Sequence, residues 1–205
     1  MILFSYHLRM YFIFFSFLLT TCSQDSRVYT IDKKKITSSW YIHQQLIQRI
    51  TQYKIHGTLS LFSHNHKIHV FFYWQQFSPH HYRLIFTNIL GITELQLNQE
   101  NQVVRIIYRK VQYVVSEQYV EEMIYHLTGI NISLESFRQW IMGLPSNSSD
   151  IRLDKENRLR EIHFIHKGKP LHIFYLKYKK ELGVSFMPSR IEVYQGHELL
   201  KIHID

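Results

Sequence analysis

The sequence predicts a mainly β, α+β fold built on an antiparallel sheet, and three observations predict it. Apolar residues alternate with polar ones over most of residues 55–204, the pattern of strands with one buried face. The alternating runs are short and are joined by polar turns of a few residues, which suits hairpins and leaves no room for parallel crossovers. Three stretches switch to helical spacing and supply faces that need a sheet to pack on.

Taken in order, the first ten residues carry Arg9 and His7 without an acid, Tyr11 to Leu19 is apolar, and Leu19-Thr20-Thr21-Cys22 follows. A membrane-spanning helix needs about 20 apolar residues, and Arg9 interrupts any longer reading, so residues 1–21 read as an export signal. Cys22 is the chain's single cysteine, so no internal disulfide can form. The run ending at Cys22 resembles the lipobox of bacterial lipoproteins, which implies diacylglycerol on the Cys22 thiol and cleavage before it. By the same resemblance, Ser23 implies passage to the outer membrane. Residues 22–36 offer little to bury and read as anchor and tether, leaving one domain over 37–205.

The formal net charge is +8, and residues 1–21 hold only one of the cations and no acid. Lys and Arg are dispersed and no nucleic-acid module is visible, so attraction to anionic lipid headgroups is the better use of the charge.

The domain is expected to open with a helix capped by Ser38 or Ser39, carrying Leu46, Ile47, Ile50 and Tyr53 on one face. Strands follow: Ile55, Leu59 and Leu61 with Gly57 as a bend, then Ile68, Val70, Phe72 and Trp74, then the pair around Tyr82–Leu97, then Val103–Lys110 and Val111–Val115. A helix from Ser116-Glu117 carries Val120, Met123, Ile124 and Leu127 and stops at Gly129. Ser133 caps the next, with Leu134, Phe137, Trp140 and Ile141 on one side and Gly143 and Pro145 as stops. Pro145 to Glu156 reads as a polar loop, and strands return at Leu159–His166, Leu171–Tyr178, Arg190–Val193 and a last one ending at Ile204.

One turn breaks the polar rule. Between Leu84 and Phe86 on one side and Leu95 and Leu97 on the other lies Asn88-Ile89-Leu90-Gly91. Asn and Gly suit a turn, whereas Ile and Leu at an exposed tip cost free energy unless something covers them. Two readings stand open: Leu90 touches a partner outside the chain, or Gly91 marks a bulge in one bent strand and Leu90 is core.

The runs Phe72-Tyr73-Trp74-Gln75-Gln76, Tyr82-Arg83-Leu84, Thr87-Asn88-Ile89-Leu90-Gly91-Ile92-Thr93-Glu94-Leu95, Glu121-Glu122-Met123-Ile124, Leu127-Thr128-Gly129 and Arg138-Gln139-Trp140-Ile141-Met142-Gly143-Leu144-Pro145 carry a recognisable pattern. Together they resemble the LolB family of outer-membrane lipoproteins, in a likeness from about Trp40 to Ile204. The resemblance implies a strongly curved antiparallel sheet, an unclosed barrel, with helices lidding an apolar cavity. It implies a lipid-anchored protein facing the periplasm, a monomer that takes acylated lipoproteins from a LolA-like carrier and inserts them into the inner leaflet of the outer membrane. Ile89, Leu90 and Gly91 then form the membrane-delivery loop. Candidates to line an acyl-chain cavity are Phe72, Trp74, Leu84, Phe86, Leu95, Leu97, Met123, Leu127, Trp140 and Ile141. The aromatic load of 14 Phe, 14 Tyr and 3 Trp suits either such a pocket or an ordinary core.

Other chemistry finds less support. His64, His66 and His69 with His80-His81 nearby are the residue types of a metal site, but no second-shell carboxylate is close in sequence, and no metal is expected. No nucleophile elbow and no phosphate-cradling Gly-rich loop occur, so neither catalysis nor a cofactor is expected. The alternative to lipoprotein transfer is a structural outer-membrane lipoprotein that scaffolds an assembly without an acyl-chain ligand.

Overall fold

The structure, a computed structural model, describes residues 38–205 apart from 65, 66, 132, 147, 149, 167, 182 and 183. Cys22, the signal and the whole tether lie outside the described residues, as do His66 and Asn147.

Helix α1 (Ser38–Gln48) precedes an antiparallel meander of β1 (Tyr53–Phe62), β2 (Lys67–Ser78), β3 (His81–Thr87), β4 (Thr93–Glu100), β5 (Val103–Tyr108) and β6 (Val111–Ser116). A 3-10 turn at Glu117–Tyr119 leads into α2 (Val120–Thr128) and α3 (Leu134–Ile141), and the chain returns as β7 (Asp150–Leu153), β8 (Leu159–His166), β9 (Lys169–Glu181), β10 (Val184–Gln195) and β11 (Glu198–Ile204). All eleven strands form one sheet in the order β6-β5-β4-β3-β2-β1-β11-β10-β9-β8-β7. Strands β6 and β7 end the sheet without pairing to each other, so it is unclosed. Inward residues from both halves, Val104 and Ile106 on β5 as well as Ile173 on β9 and Ile191 on β10, share one core with the helices.

Four local expectations need correction. The face of α1 is Trp40, His43 and Ile47; Leu46 is exposed, and Tyr53 already begins β1. Gly57 is no bend, because β1 stays in register with β2 through it; a side chain there would meet the His203 carbonyl oxygen on β11 at 1.9 Å. Strand β5 stops at Tyr108, because Arg109 and Lys110 form the turn at φ 48° and 70°. The loop from Pro145 to Glu156 contains the short edge strand β7.

The helix ends follow the expected chemistry. Ser133 Oγ accepts the Ser136 N–H at 3.3 Å, and Gly129, at φ 72°, donates its N–H to Tyr125 O.

Candidate functional site

The turn between β3 and β4 is built around Asn88. Its backbone N–H donates to Ile92 O and its carbonyl accepts from Gly91 N–H, each at 2.9 Å. Its side-chain Oδ1 accepts from Leu90 N–H at 2.9 Å and Ile92 N–H at 3.1 Å, while Nδ2 donates to Glu94 at 2.7 Å. Gly91 adopts φ 76°, a conformation any side chain would strain. With its backbone satisfied internally, the turn holds Ile89, Leu90 and Ile92 out at 71, 77 and 56 % exposure. The bulge reading is excluded, since β3 ends at Thr87, β4 starts at Thr93 and Leu90 lies at the tip between them.

The cavity candidates gather on the inner face of the sheet. Phe72, Trp74, Leu84, Leu95 and Leu97 from the strands and Trp140 and Ile141 from α3 are buried, and Phe86, Met123 and Leu127 pack half-buried against them. Phe137, read as part of the α3 stripe but not as a lining residue, sits at their centre. Its ring lies 5.4 Å from Phe72 and 5.8 Å from Trp74. The i, i+3 spacing from Leu134 to Phe137 was the signal that could have placed it there. Phe137 thus occupies space between α3 and the inner face of β2. A depression of about 310 Å³ opens elsewhere, on the outer face of β1 to β3, beside His56, Phe71, Tyr73 and Ile85.

The polar groups around α3 are unevenly satisfied. Gln76 is buried, yet it accepts from Trp74 Nε1 at 2.9 Å and donates to Ser78 O. Trp140 Nε1, Ser146 Oγ and Tyr175 OH are buried with no hydrogen-bond partner among the described residues. Each such group costs about 1–3 kcal/mol, so the closed packing carries a penalty. Burial alone pushes the Tyr175 phenol well above its usual range. On the exposed side, Arg138 grips Glu135 at 2.7 and 2.9 Å, and Gln139 adds a third bond at 2.6 Å. Burial works to raise the Glu135 pKa, but these donors together hold it below the usual carboxylate value. Leu134 N–H donates to Glu121 at 3.0 Å and ties α3 to α2.

The histidines separate. His64 lies against His197 at 5.3 Å, His69 bonds Ser60 at 2.7 Å, and His80-His81 sit at the other edge of the sheet. Among the described residues no group of three or more His, Cys, Asp or Glu is placed to hold a metal.

A family model described as outer membrane lipoprotein LolB matches residues 51–205. The chain belongs to the LolB family. A protein of Erwinia tasmaniensis named outer-membrane lipoprotein LolB is 40 % identical over 93 % of this chain and 90 % of its own length. One of Serratia proteamaculans with the same name is 38 % identical over 81 % of this chain and 79 % of its own. In fold, the chain is similar to a crystal structure of a LolA superfamily protein from Nitrosomonas europaea, with a TM-score of 0.50 at 9 % identity over 82 % of this chain and 90 % of that one. Membership makes this LolB chain an outer-membrane lipoprotein of the lipoprotein localization pathway. The exposed tip and the packed inner face are therefore features of a LolB domain.

Proposed function

We propose that this chain is anchored through Cys22, receives acylated lipoproteins from a LolA-like periplasmic carrier, shelters their acyl chains on the inner face of the sheet, and inserts them into the inner leaflet of the outer membrane. A buried methylene contributes about 0.8 kcal/mol, roughly 12 kcal/mol gross for a 16-carbon chain, so such cargo needs cover to cross water. The inner face is apolar enough to give it, once α2 and α3 lift away. The unpartnered Trp140, Ser146 and Tyr175 groups lower the cost of that movement. Transfer without nucleotide requires each acceptor to bind cargo more favourably than its donor.

The observation that carries the reading is the turn ordered by Asn88 to hold Leu90 at 77 % exposure. A protein that only stored acyl chains has no use for an apolar tip in water, whereas one that passes them into a bilayer does. Leu90→Glu is expected to leave reception from the carrier intact and to slow delivery into liposomes at least tenfold; delivery at the wild-type rate would overturn the role of the tip. Palmitate labelling that disappears in Cys22→Ala tests the anchor.

A second reading, a scaffolding lipoprotein without a ligand, is favoured by the packing of Phe137 against Phe72 and Trp74 on the inner face. Native mass spectrometry of the chain purified with an acylated lipoprotein separates the two, because a scaffold carries no cargo.

A further inference from the structure

Alternate turns of an antiparallel meander fall on the same edge of the sheet. The Leu90 turn therefore shares its edge with the β1–β2, β5–β6, β8–β9 and β10–β11 turns. Arg109 and Lys110 stand on one side of Leu90 and Lys67 on the other, each about 10 Å away at two strand spacings, and Lys169 lies farther along. All four are exposed, and none has a carboxylate partner among the described residues. Lys67 lies 5.5 Å over the Phe62 ring and Arg109 5.1 Å over Tyr108.

Acids are few on this edge. Glu198 is exposed, and Glu94 is half-buried and engaged by Asn88. The opposite edge holds Glu100, Glu117, Asp154 and Glu156, with Arg158 consumed by the last two at 2.6 and 2.9 Å. Lys155 and Lys180 also stand at that opposite edge, but beside these acids, so the excess of positive charge is left at the end that carries the apolar tip.

The Arg109-Lys110 turn adds a second observation. Both central residues of this two-residue hairpin have positive φ, which Asn-Gly adopts with little strain and which long side chains disfavour. The chain places two cations there against that preference, and such local violations concentrate at functional sites.

We infer that Arg109, Lys110, Lys67 and Lys169 form a headgroup-binding rim that seats the Leu90 turn on the anionic phospholipid surface of the bilayer. The inference rests on the proposed delivery role of that turn and adds the step before it. The rim holds the tip at the headgroups, and the apolar residues then enter. Each cation at an anionic surface strengthens binding by a factor of about five, so Arg109 and Lys110 together supply about 25-fold.

The test uses the mature lipidated chain with Ile89→Cys carrying an environment-sensitive fluorophore, read against the unsubstituted chain for any label on Cys22. It is reconstituted into phosphatidylcholine vesicles with or without about one third phosphatidylglycerol. The expected result is a larger blue shift in the anionic vesicles, reversed by about 0.5 M NaCl. Replacing the turn with its unstrained form, Arg109→Asn with Lys110→Gly, removes both charges without threatening the fold. It is expected to raise Tm by a few degrees and to lower the ratio of engaged to free tip about 25-fold in anionic vesicles only. The rim is overturned if that variant keeps the full anionic shift, or if Lys155→Gln with Lys180→Gln at the opposite edge abolishes it equally. Aqueous emission in both vesicle types would overturn the rim and the delivery turn together. An anionic shift that persists while Leu90→Glu still delivers cargo would sustain the rim and overturn only the delivery role.

Discussion

Asn88 bonds the backbone N–H groups of Leu90 and Ile92 and the Glu94 carboxylate, so one side chain sets the shape of the Leu90 turn. Asn88→Ala removes those bonds and is expected to cost about 1–2 kcal/mol of stability, with hydrogen exchange at Leu90 and Ile92 rising far more than in the flanking strands. Gly57 is constrained in a different way. An added methyl would sit 1.9 Å from the His203 carbonyl oxygen, so Gly57→Ala must push β11 away from β1, and denaturant titration is expected to show a loss of more than about 3 kcal/mol. At this scale the sequence was partly legible. Leu90 announced itself because Ile and Leu stood where every other turn was polar. Gly57 was misread because a missing side chain signals a bend and a close approach alike. The Arg109-Lys110 turn was invisible because neither residue carries the usual mark of positive φ.

Helix α3 is held by two unlike surfaces, an apolar face with Phe137 wedged between Phe72 and Trp74, and a polar face clamped by Glu135 and Arg138. Phe137→Ala is expected to lower stability by about 3–5 kcal/mol while enlarging the space that an acyl chain would enter, so a fluorescent fatty acid should bind more tightly to the variant than to the parent. Equal or weaker binding would show that the ligand does not lie there. The carboxyl of Glu135 has a folded-state pKa below its ordinary value. Its contribution is therefore complete above the ordinary carboxylate pKa and is lost as pH falls through the depressed one, whereas His43, lowered by burial, destabilises the fold as pH drops below about 6.5. Thermal unfolding of His43→Gln between pH 7 and 5 should accordingly be flatter than that of the parent. The stripes of α2 and α3 were readable from spacing because tertiary packing used the same period. Helix α1 was shifted because its true face begins at Trp40, earlier than the aliphatic cluster that drew the eye. Strand β7 escaped notice because four residues with polar neighbours are too few to show alternation.

Across the whole domain the sheet order follows from a meander whose turns could be counted in the sequence, and the unclosed architecture came from the family resemblance instead of from periodicity. Spacing alone cannot say how tightly a sheet curls or whether its inner face is filled, because both depend on how β5 and β9 meet a common core. If the helices lift to admit cargo, binding of a diacylated lipopeptide should speed amide exchange in α2 and α3 and leave β2, β3 and β11 unchanged. Protection altered uniformly over the domain would refute that division of labour.

Strands β6 and β7 terminate the sheet without touching across it by hydrogen bonds. With both ends of the sheet unpaired, its two halves can splay while every ladder from β6 through to β7 stays whole. Such a molecule can gape without melting. On the proposed function, that compliance is what lets the sheet widen for a fatty tail and spring back as the tail leaves.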